Sequence, residues 1–197
     1  MKKRFATLLG CGVLLTVLSA RADVKLVMFR HAEKPVAGLG QLSCQGLNRA
    51  LALPRVLLAT YGRPAAMYAP NPGAAKDDEG VSYNYLRPLA TIEPTAIQAG
   101  LPVSTTWAWN DIADLQNELL NPAHEGQTLY VAWEHNQLES LARSILKARG
   151  EDPAVVRKWH GSDFDGIYVM TLKTHGGATF RRETEGLDNQ SMECPGK

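Results

Sequence analysis

The sequence predicts an α/β fold, with an open and mostly parallel sheet flanked by helices and a late β-hairpin at the sheet edge. Two largely apolar runs, 24–29 (VKLVMF) and 128–133 (TLYVAW), have the composition of strands that are covered on both faces, as in parallel sheets. Helical spacing follows each run, and alternating strands and helices are typical of this fold class. Residues 167–172 and 179–183 flank a His-Gly-Gly turn and predict the hairpin.

The N-terminus has the layout of a secretory signal peptide. A basic start (residues 1–4) precedes a largely apolar stretch up to residue 20, and small residues surround Ala22, where cleavage would fall. The apolar stretch is short for a membrane span of about 20 residues and no basic stop follows it, so it does not predict a stable membrane anchor. A Cys at position 11 leaves lipidation open as an alternative. We expect residues 1–22 to be the signal peptide, residues 23–197 to form one domain, and the protein to be periplasmic or secreted.

The elements between the two apolar runs have weaker patterns. Ser43 is a suitable cap for a first helix, and Pro54 within its apolar spacing predicts a kink or a break. Residues 65–69 predict a short strand, and the charged residues 76–80 predict a solvated loop. Helical spacing returns over residues 83–99 despite two prolines.

The second half of the chain completes the alternation. Residues 102–106 predict a weak strand, and Asp111 stands at the start of a short helix. After the second apolar run, Asn136 can cap an amphipathic helix with basic residues in its last turns. The tail from Gly186 onward is predicted to be irregular.

Charge and cysteine content limit the function classes. The formal net charge of the chain is +1, and it becomes more negative once the basic signal segment is removed, so no broad nucleic-acid or membrane surface is predicted. Cys44 and Cys194 remain as an even pair in an exported chain. They either form a disulfide that ties the tail to the first helix or stay as two thiols.

Charged and titratable side chains stand where both buried strands end. Arg30 and His31 directly follow the first strand, and Glu134 and His135 follow the second. Ligands of open α/β sheets bind beyond the carboxyl ends of the strands, which makes this edge the expected site. Arg87, near a predicted helix start, adds a second guanidinium. Guanidinium groups match phosphate oxygens, and an imidazole held by a backbone carbonyl can accept a phosphoryl group, so the set predicts phosphoryl chemistry without a metal.

Three motifs, in this order along the chain, resemble those of the histidine phosphatase superfamily, the phosphoglycerate-mutase-like group. They are RHAE at 30–33, LRPLATIEPTA at 86–96 and WEHNQL at 133–138, and DFDGIYVM at 163–170 resembles the late strand of small members. Ala32 replaces the glycine that usually follows the first histidine. The similarity extends over nearly all of the expected mature chain.

The resemblance implies a phosphoenzyme mechanism that needs no cofactor. His31 would become phosphohistidine, Arg30, Arg87 and His135 would hold the phosphoryl oxygens, and water would then release phosphate. Asn136 stands where the phytase-like branch has its proton-donating aspartate.

The proton donor and the substrate contacts stay open at the level of the sequence. Asp111, Glu134 and Glu33 are the candidate acids, although Glu33 could instead pair with Lys34 or Arg87. Glu33 and Lys34 are also candidate substrate-binding residues. A good leaving group, such as that of an acyl phosphate or a phosphoramidate, would need no strong acid.

We therefore expect an exported phosphatase that acts on a phosphomonoester or a related small phosphorylated compound. The loop 70–83 is expected to set the substrate choice. One alternative is a binding or regulatory protein that keeps the phosphate pocket without turnover. Another is a zinc site formed by His31, Glu33 and His135, but such a site would not need the two arginines, and no H-E-x-x-H pattern is present.

Overall fold

The structure, a computed structural model, describes residues 22–196. The predicted signal peptide therefore lies outside the described residues, apart from its last residue, Ala22. Within residues 22–196, no helix is both long enough and apolar enough to cross a membrane.

A six-stranded sheet forms the centre of the molecule, and a separate two-stranded hairpin lies beside it. The strands in chain order are β1 (Val24–Arg30), β2 (Ala66–Tyr68), β3 (Ala75–Asp78), β4 (Val81–Asn84), β5 (Val103–Ser104), β6 (Thr128–Trp133), β7 (Gly166–Leu172) and β8 (Ala178–Thr184). The sheet order is β5-β2-β6-β1-β7-β8, and β3 pairs only with β4. The first four strands of that order run parallel, whereas β7 and β8 are antiparallel. The predicted fold, a mostly parallel sheet with a late hairpin at its edge, is confirmed.

In the described part of the chain, four α-helices cover the two faces of the sheet. They are α1 (Cys44–Tyr61), α2 (Arg87–Ala99), α3 (Ile112–Leu119) and α4 (His135–Ala148). Because side chains of a strand alternate between faces, Leu26 and Met28 of β1 pack in the core with α3 and α4, while Val27 and Phe29 pack with α1 and α2. Burial of β1 on both faces explains its almost uninterrupted apolar sequence.

Three predicted elements differ from the structure. The helix predicted over residues 83–99 begins later, because residues 81–84 form β4 and α2 begins at Arg87. Helix α1 continues through Pro54, because Leu53 and Leu57 are fully buried on the sheet and their packing offsets the lost backbone hydrogen bond. The charged residues 76–80 are not a solvated loop but part of the hairpin β3–β4. Asp78 in this hairpin is buried, since Lys34 and Arg87 neutralise its carboxylate.

A disulfide joins Cys44, the first residue of α1, to Cys194 in the tail. The Asn48 side chain supports the same contact, since its Nδ2 donates to the carbonyl oxygens of Ser191 at 2.9 Å and Glu193 at 2.7 Å. The tail is irregular, as predicted, but it is fixed against α1.

We expect loss of this disulfide to lower the free energy of unfolding by about 2–5 kcal/mol, because the bond closes a loop that spans most of the chain. Urea denaturation of the oxidised protein and of the double variant Cys44→Ala/Cys194→Ala measures the difference. A reductant should destabilise the wild-type protein and leave the double variant unchanged. Equal midpoints for all four samples would contradict a stabilising role.

Candidate active site

His31 lies in the loop that follows β1 and is 3% exposed. Its backbone N–H donates to the Trp133 carbonyl at 3.0 Å, which extends the pairing of β1 with β6 beyond the strand. The ring Nδ1 lies 2.8 Å from the carbonyl oxygen of Ala32. A carbonyl only accepts, so Nδ1 carries the proton and Nε2 keeps its lone pair. Burial, reinforced by the charges of Arg30 and Arg87, holds the pKa of His31 well below its usual value, so the imidazole is neutral at neutral pH.

Arg30 is the last residue of β1, and its guanidinium is fixed by backbone carbonyls rather than by carboxylates. Its Nη1 donates to Gly161 at 2.7 Å and to Asp163 at 3.0 Å. The guanidinium carbon lies 3.8 Å from the centre of the Phe164 ring. Burial lowers the pKa of Arg30 to about 10, which still leaves the group cationic at neutral pH.

Arg87 is the first residue of α2 and approaches the same site from the other side. Its Nη1 donates to Asp78 of β3, which is therefore shared between Arg87 and Lys34. Thr91, one turn along α2, accepts from the Ala32 N–H at 2.9 Å and donates to the Arg87 carbonyl at 2.8 Å. This hydroxyl fixes the start of α2 against the loop that carries His31.

Glu134 and His135 connect β6 to α4. Glu134, not the predicted Asn136, caps the helix, since its carboxylate accepts from the Gln137 N–H at 3.0 Å. The other carboxylate oxygen lies 2.7 Å from His135 Nδ1 and accepts from the Asn136 side chain at 3.1 Å. Burial raises the pKa of Glu134, but His135 and the backbone N–H groups of Asn136 and Gln137 outweigh it and hold the pKa at about 2. Glu134 is therefore anionic at neutral pH.

These side chains line one cavity of about 280 Å³ at the carboxyl edge of the parallel strands. The register of β1 and β6 explains why the residues that follow these strands lie together. Arg30 pairs with Trp133, so both strands end at the same level. Six of the predicted site residues line the cavity, together with four acidic or basic residues of the hairpin: Arg30, His31, Lys34, Arg87, Glu134 and His135, with Lys76, Asp77, Asp78 and Glu79. Arg30 and Arg87 each keep a buried Nε without a partner in the described part of the chain, and a bound oxyanion would satisfy such donors.

The structure does not bring Asp111 or Glu33 into this cavity. Asp111 is exposed at the start of α3, where its carboxylate accepts from the Ala108 N–H at 3.0 Å. Glu33 points away, and Arg49 holds its carboxylate through Nε at 3.0 Å and Nη2 at 2.8 Å. The zinc site considered for His31, Glu33 and His135 is not assembled, because Glu33 is held by Arg49. Within residues 22–196, no group of three or more His, Cys, Asp and Glu side chains is arranged to hold a metal ion.

Lys34 lines the cavity, but its ammonium group is already paired with two carboxylates. Its Nζ lies 2.7 Å from Asp78 and 2.9 Å from Glu79, both in the β3–β4 hairpin. Lys34 therefore fastens the hairpin over the edge of the site rather than offering a free ammonium to a ligand.

A buried charge cluster below the cavity was not predicted. Arg49 of α1 is 1% exposed, and its guanidinium binds Glu33, Asp165 at 3.0 Å, Glu185 at 2.7 Å and Asp188 at 3.1 Å. Burial, together with the neighbouring carboxylates, raises the pKa of Glu185 to about 8 despite its contact with Arg49. We call these five residues the Arg49 cluster. The sequence carries one signal for this cluster. Arg49 is four residues before the apolar Leu53, so both lie on the same, buried face of α1, where an unpaired cation is not expected.

The Arg49 cluster ties the loop after β1 to the opposite side of the site. Glu33 lies in the loop that carries His31. Its backbone packs so closely on Gly46 of α1 that a Cβ added to Gly46 would lie 2.3 Å from the Glu33 carbonyl oxygen. Asp165 belongs to the loop whose carbonyls hold Arg30, and it accepts from the Leu187 N–H at 2.7 Å. One arginine therefore connects α1, both loops of the site and the tail.

Sequence reasoning also missed Tyr85, which is buried beside the imidazole. Its ring meets that of His31 edge-to-face at a centroid distance of 5.9 Å and stacks 4.9 Å from the Arg87 guanidinium carbon. Burial raises the pKa of Tyr85, so its hydroxyl stays protonated at neutral pH. That hydroxyl has no hydrogen-bond partner among the described residues. An aromatic residue two positions before Arg87 was the available signal.

Solved structures of known proteins share this fold. The chain superposes with a TM-score of 0.57 and 12% identity on phosphoglycerate mutase from Plasmodium falciparum, over 83% of this chain and 92% of that chain. It matches a putative phosphohistidine phosphatase SixA from Nakamurella multipartitia with a TM-score of 0.55 and 16% identity, over 82% and 96% of the two chains. A mycobacterial glucosyl-3-phosphoglycerate phosphatase gives a TM-score of 0.55 and 15% identity, over 84% and 98%. No protein-family model and no curated protein matches the sequence.

Proposed function

We propose that this chain, which has the fold of phosphoglycerate mutases, is a metal-independent phosphatase that works through phosphohistidine at His31. The observation that carries the proposal is the state of the His31 ring, which is neutral, buried and fixed through Nδ1, so that Nε2 is free in a cavity lined by two guanidinium groups. This is the arrangement that nucleophilic attack on a phosphoryl group requires. The three relatives named above act on, or are named for, phosphorylated compounds, which supports the same chemistry.

The proposed reaction has two displacement steps. In the first, the Nε2 lone pair of His31 attacks phosphorus and the bond from phosphorus to the leaving oxygen or nitrogen breaks. Arg30, Arg87 and His135 hold the nonbridging oxygens and stabilise the charge of the transferring group. In the second, water attacks the phosphohistidine, inorganic phosphate leaves and the neutral imidazole is restored.

The leaving group receives little help from this site. Glu134 is the carboxylate beside the cavity that the sequence offered as an acid, but it is anionic at neutral pH and engaged by its neighbours. We propose that it orients His135 rather than donating a proton. Substrates whose leaving groups need little protonation, such as acyl phosphates, phosphoramidates and aryl phosphates, are therefore favoured over simple alkyl phosphates.

The test is turnover of p-nitrophenyl phosphate in the presence of a metal chelator, combined with trapping of the intermediate. We expect release of inorganic phosphate and, after a denaturing quench with ³²P-labelled substrate, an alkali-stable and acid-labile label on the protein. Saturable phosphate binding without label and without turnover would instead show the alternative, a phosphate-binding protein that keeps the pocket. The lack of a neutral acid is the observation that favours this alternative.

We expect the ring of His31 to stay neutral even in solutions whose pH is below about 6.5, the ordinary pKa of histidine, because its own pKa is well below that value. A lowered pKa means that protonation begins only at more acidic pH, so the nucleophile stays competent in mildly acidic solution. The ¹³C signal of its Cε1 should titrate only at a pH well below that of the same ring in urea-unfolded protein, which should titrate near about 6.5. A midpoint at or above the unfolded value would contradict the proposed state of the ring.

We also propose that the protein is exported and loses residues 1–22. The layout of the N-terminus supports export, and the disulfide between Cys44 and Cys194 is of the kind that persists in oxidising compartments. N-terminal sequencing of the protein from its native host, with fractionation of the cells, tests this. A cytoplasmic protein with an intact N-terminus would contradict it.

A further inference from the structure

Lys76 of the β3–β4 hairpin places a second kind of cation in the cavity. Its Nζ lies 3.6 Å from the centre of the Trp109 ring and 5.7 Å from that of Tyr85. Trp109 is itself fixed, because its indole Nε1 donates to the Ala75 carbonyl at 3.1 Å and its backbone carbonyl accepts from Trp133 Nε1 at 2.7 Å. The aromatic platform therefore holds the ammonium in place at the cavity wall.

The contrast with Lys34 shows that Lys76 is available to a ligand. Both lysines line the cavity, but Lys34 lies within 3 Å of two carboxylates. Lys76 is half-buried and has no carboxylate within ion-pair distance in the described part of the chain. Burial lowers the pKa of Lys76, as expected for an ammonium that lacks such a partner.

The phosphoryl group does not account for this charge. The proposed mechanism already gives the phosphoryl oxygens two guanidinium groups and His135, which are enough for a dianion. A further held ammonium in the same cavity fits an additional negative charge on the substrate.

We propose that Lys76 binds a second anionic group of the substrate, so that the preferred substrates carry a carboxylate or another phosphate on the part that leaves. This inference rests on the proposed function and deepens it. The hairpin that carries Lys76 falls in the loop expected from the sequence to set substrate choice, and it would do so by recognising charge next to the reacting phosphate.

Three matched aryl phosphates test the proposal: 3-carboxyphenyl phosphate, benzene-1,3-diol bisphosphate, and 3-carbamoylphenyl phosphate, which lacks the second anion. We expect the wild-type protein to prefer the first two in kcat/KM. In Lys76→Met this preference should fall about tenfold, the usual weight of one charge-assisted hydrogen bond. Lys76→Arg should restore most of it. Lys147→Met, at the far end of α4 and exposed, should leave the preference unchanged.

The outcomes separate the two proposals. An unchanged preference in Lys76→Met, or no preference in the wild-type protein, would overturn the second-anion site while leaving the phosphatase intact. An equal fall for all three compounds would also overturn it, because Lys76 would then serve the common chemistry. If the wild-type protein hydrolysed neither these compounds nor p-nitrophenyl phosphate, the proposed function would fail, and calorimetric binding of the three compounds would decide the second-anion site in the same way.

Discussion

The His31→Ala variant is expected to lose phosphoryl transfer, with kcat for p-nitrophenyl phosphate lower by at least about 1000-fold. The physical reason is that the variant lacks the neutral, fixed imidazole whose Nε2 lone pair is proposed to attack phosphorus beside the two guanidinium groups. In the proposed mechanism, His135 binds the nonbridging oxygens and does not attack phosphorus. Steady-state turnover measures the loss, and the labelling experiment should find no phosphohistidine on the variant.

Two controls show whether the loss of activity is specific to His31: the same substitution at another histidine, and an assay of phosphate binding by the variant. His175→Ala changes an exposed residue in the turn between β7 and β8, at the opposite end of the sheet, and should keep wild-type activity. The His31→Ala variant should still bind inorganic phosphate, because Arg30 and Arg87 are held by groups outside the ring. Retained label on the variant would show that another residue is the phosphoryl acceptor.

The part of the site that sequence reasoning found is the part that local sequence determines. Arg30 and His31 are recognisable because they end an apolar strand, and Glu134 and His135 because they end another. Parallel pairing then brings both pairs to one edge, since residues that end neighbouring parallel strands in register must meet. Arg87 was singled out only as a guanidinium near a predicted helix start, since nothing in its own segment shows where α2 would dock; the family resemblance added support for its position.

The part that was missed depends on contacts between distant segments. The sequence places Asp78 in a charged run that predicts a solvated loop, yet in the structure it is buried because Lys34 and Arg87 both pair with it. Glu33 lies next to the motif but turns away, because Arg49 gathers carboxylates from positions more than 100 residues further along the chain. Local pattern carries no information about such long-range pairing, so the acid and ligand assignments made from proximity in sequence were the insecure ones.

The Arg49→Met variant is expected to lower the free energy of unfolding by about 3–5 kcal/mol at neutral pH. Met fills a similar volume, so the cost comes from leaving the carboxylates of Glu33 and Asp165 close together without their cation. The penalty should shrink towards about pH 4, because protonated carboxyl groups need no counterion. Urea denaturation across this pH range measures it, with Arg55→Met as the control, since Arg55 is exposed on the same helix and should change stability by less than about 0.5 kcal/mol.

A companion variant, Glu185→Gln, tests the charge balance inside the Arg49 cluster. The folded-state pKa of Glu185 is raised to about 8. The stability of the wild-type protein should therefore fall as the pH rises from the ordinary carboxyl range towards 8, because the folded state must then lose a proton that it holds more tightly than the unfolded chain. Glu185→Gln should remove this dependence while keeping a hydrogen-bond acceptor for Arg49. If Arg49→Met were instead as stable as Arg55→Met, the buried arginine would not be what holds the loop that carries His31 against α1.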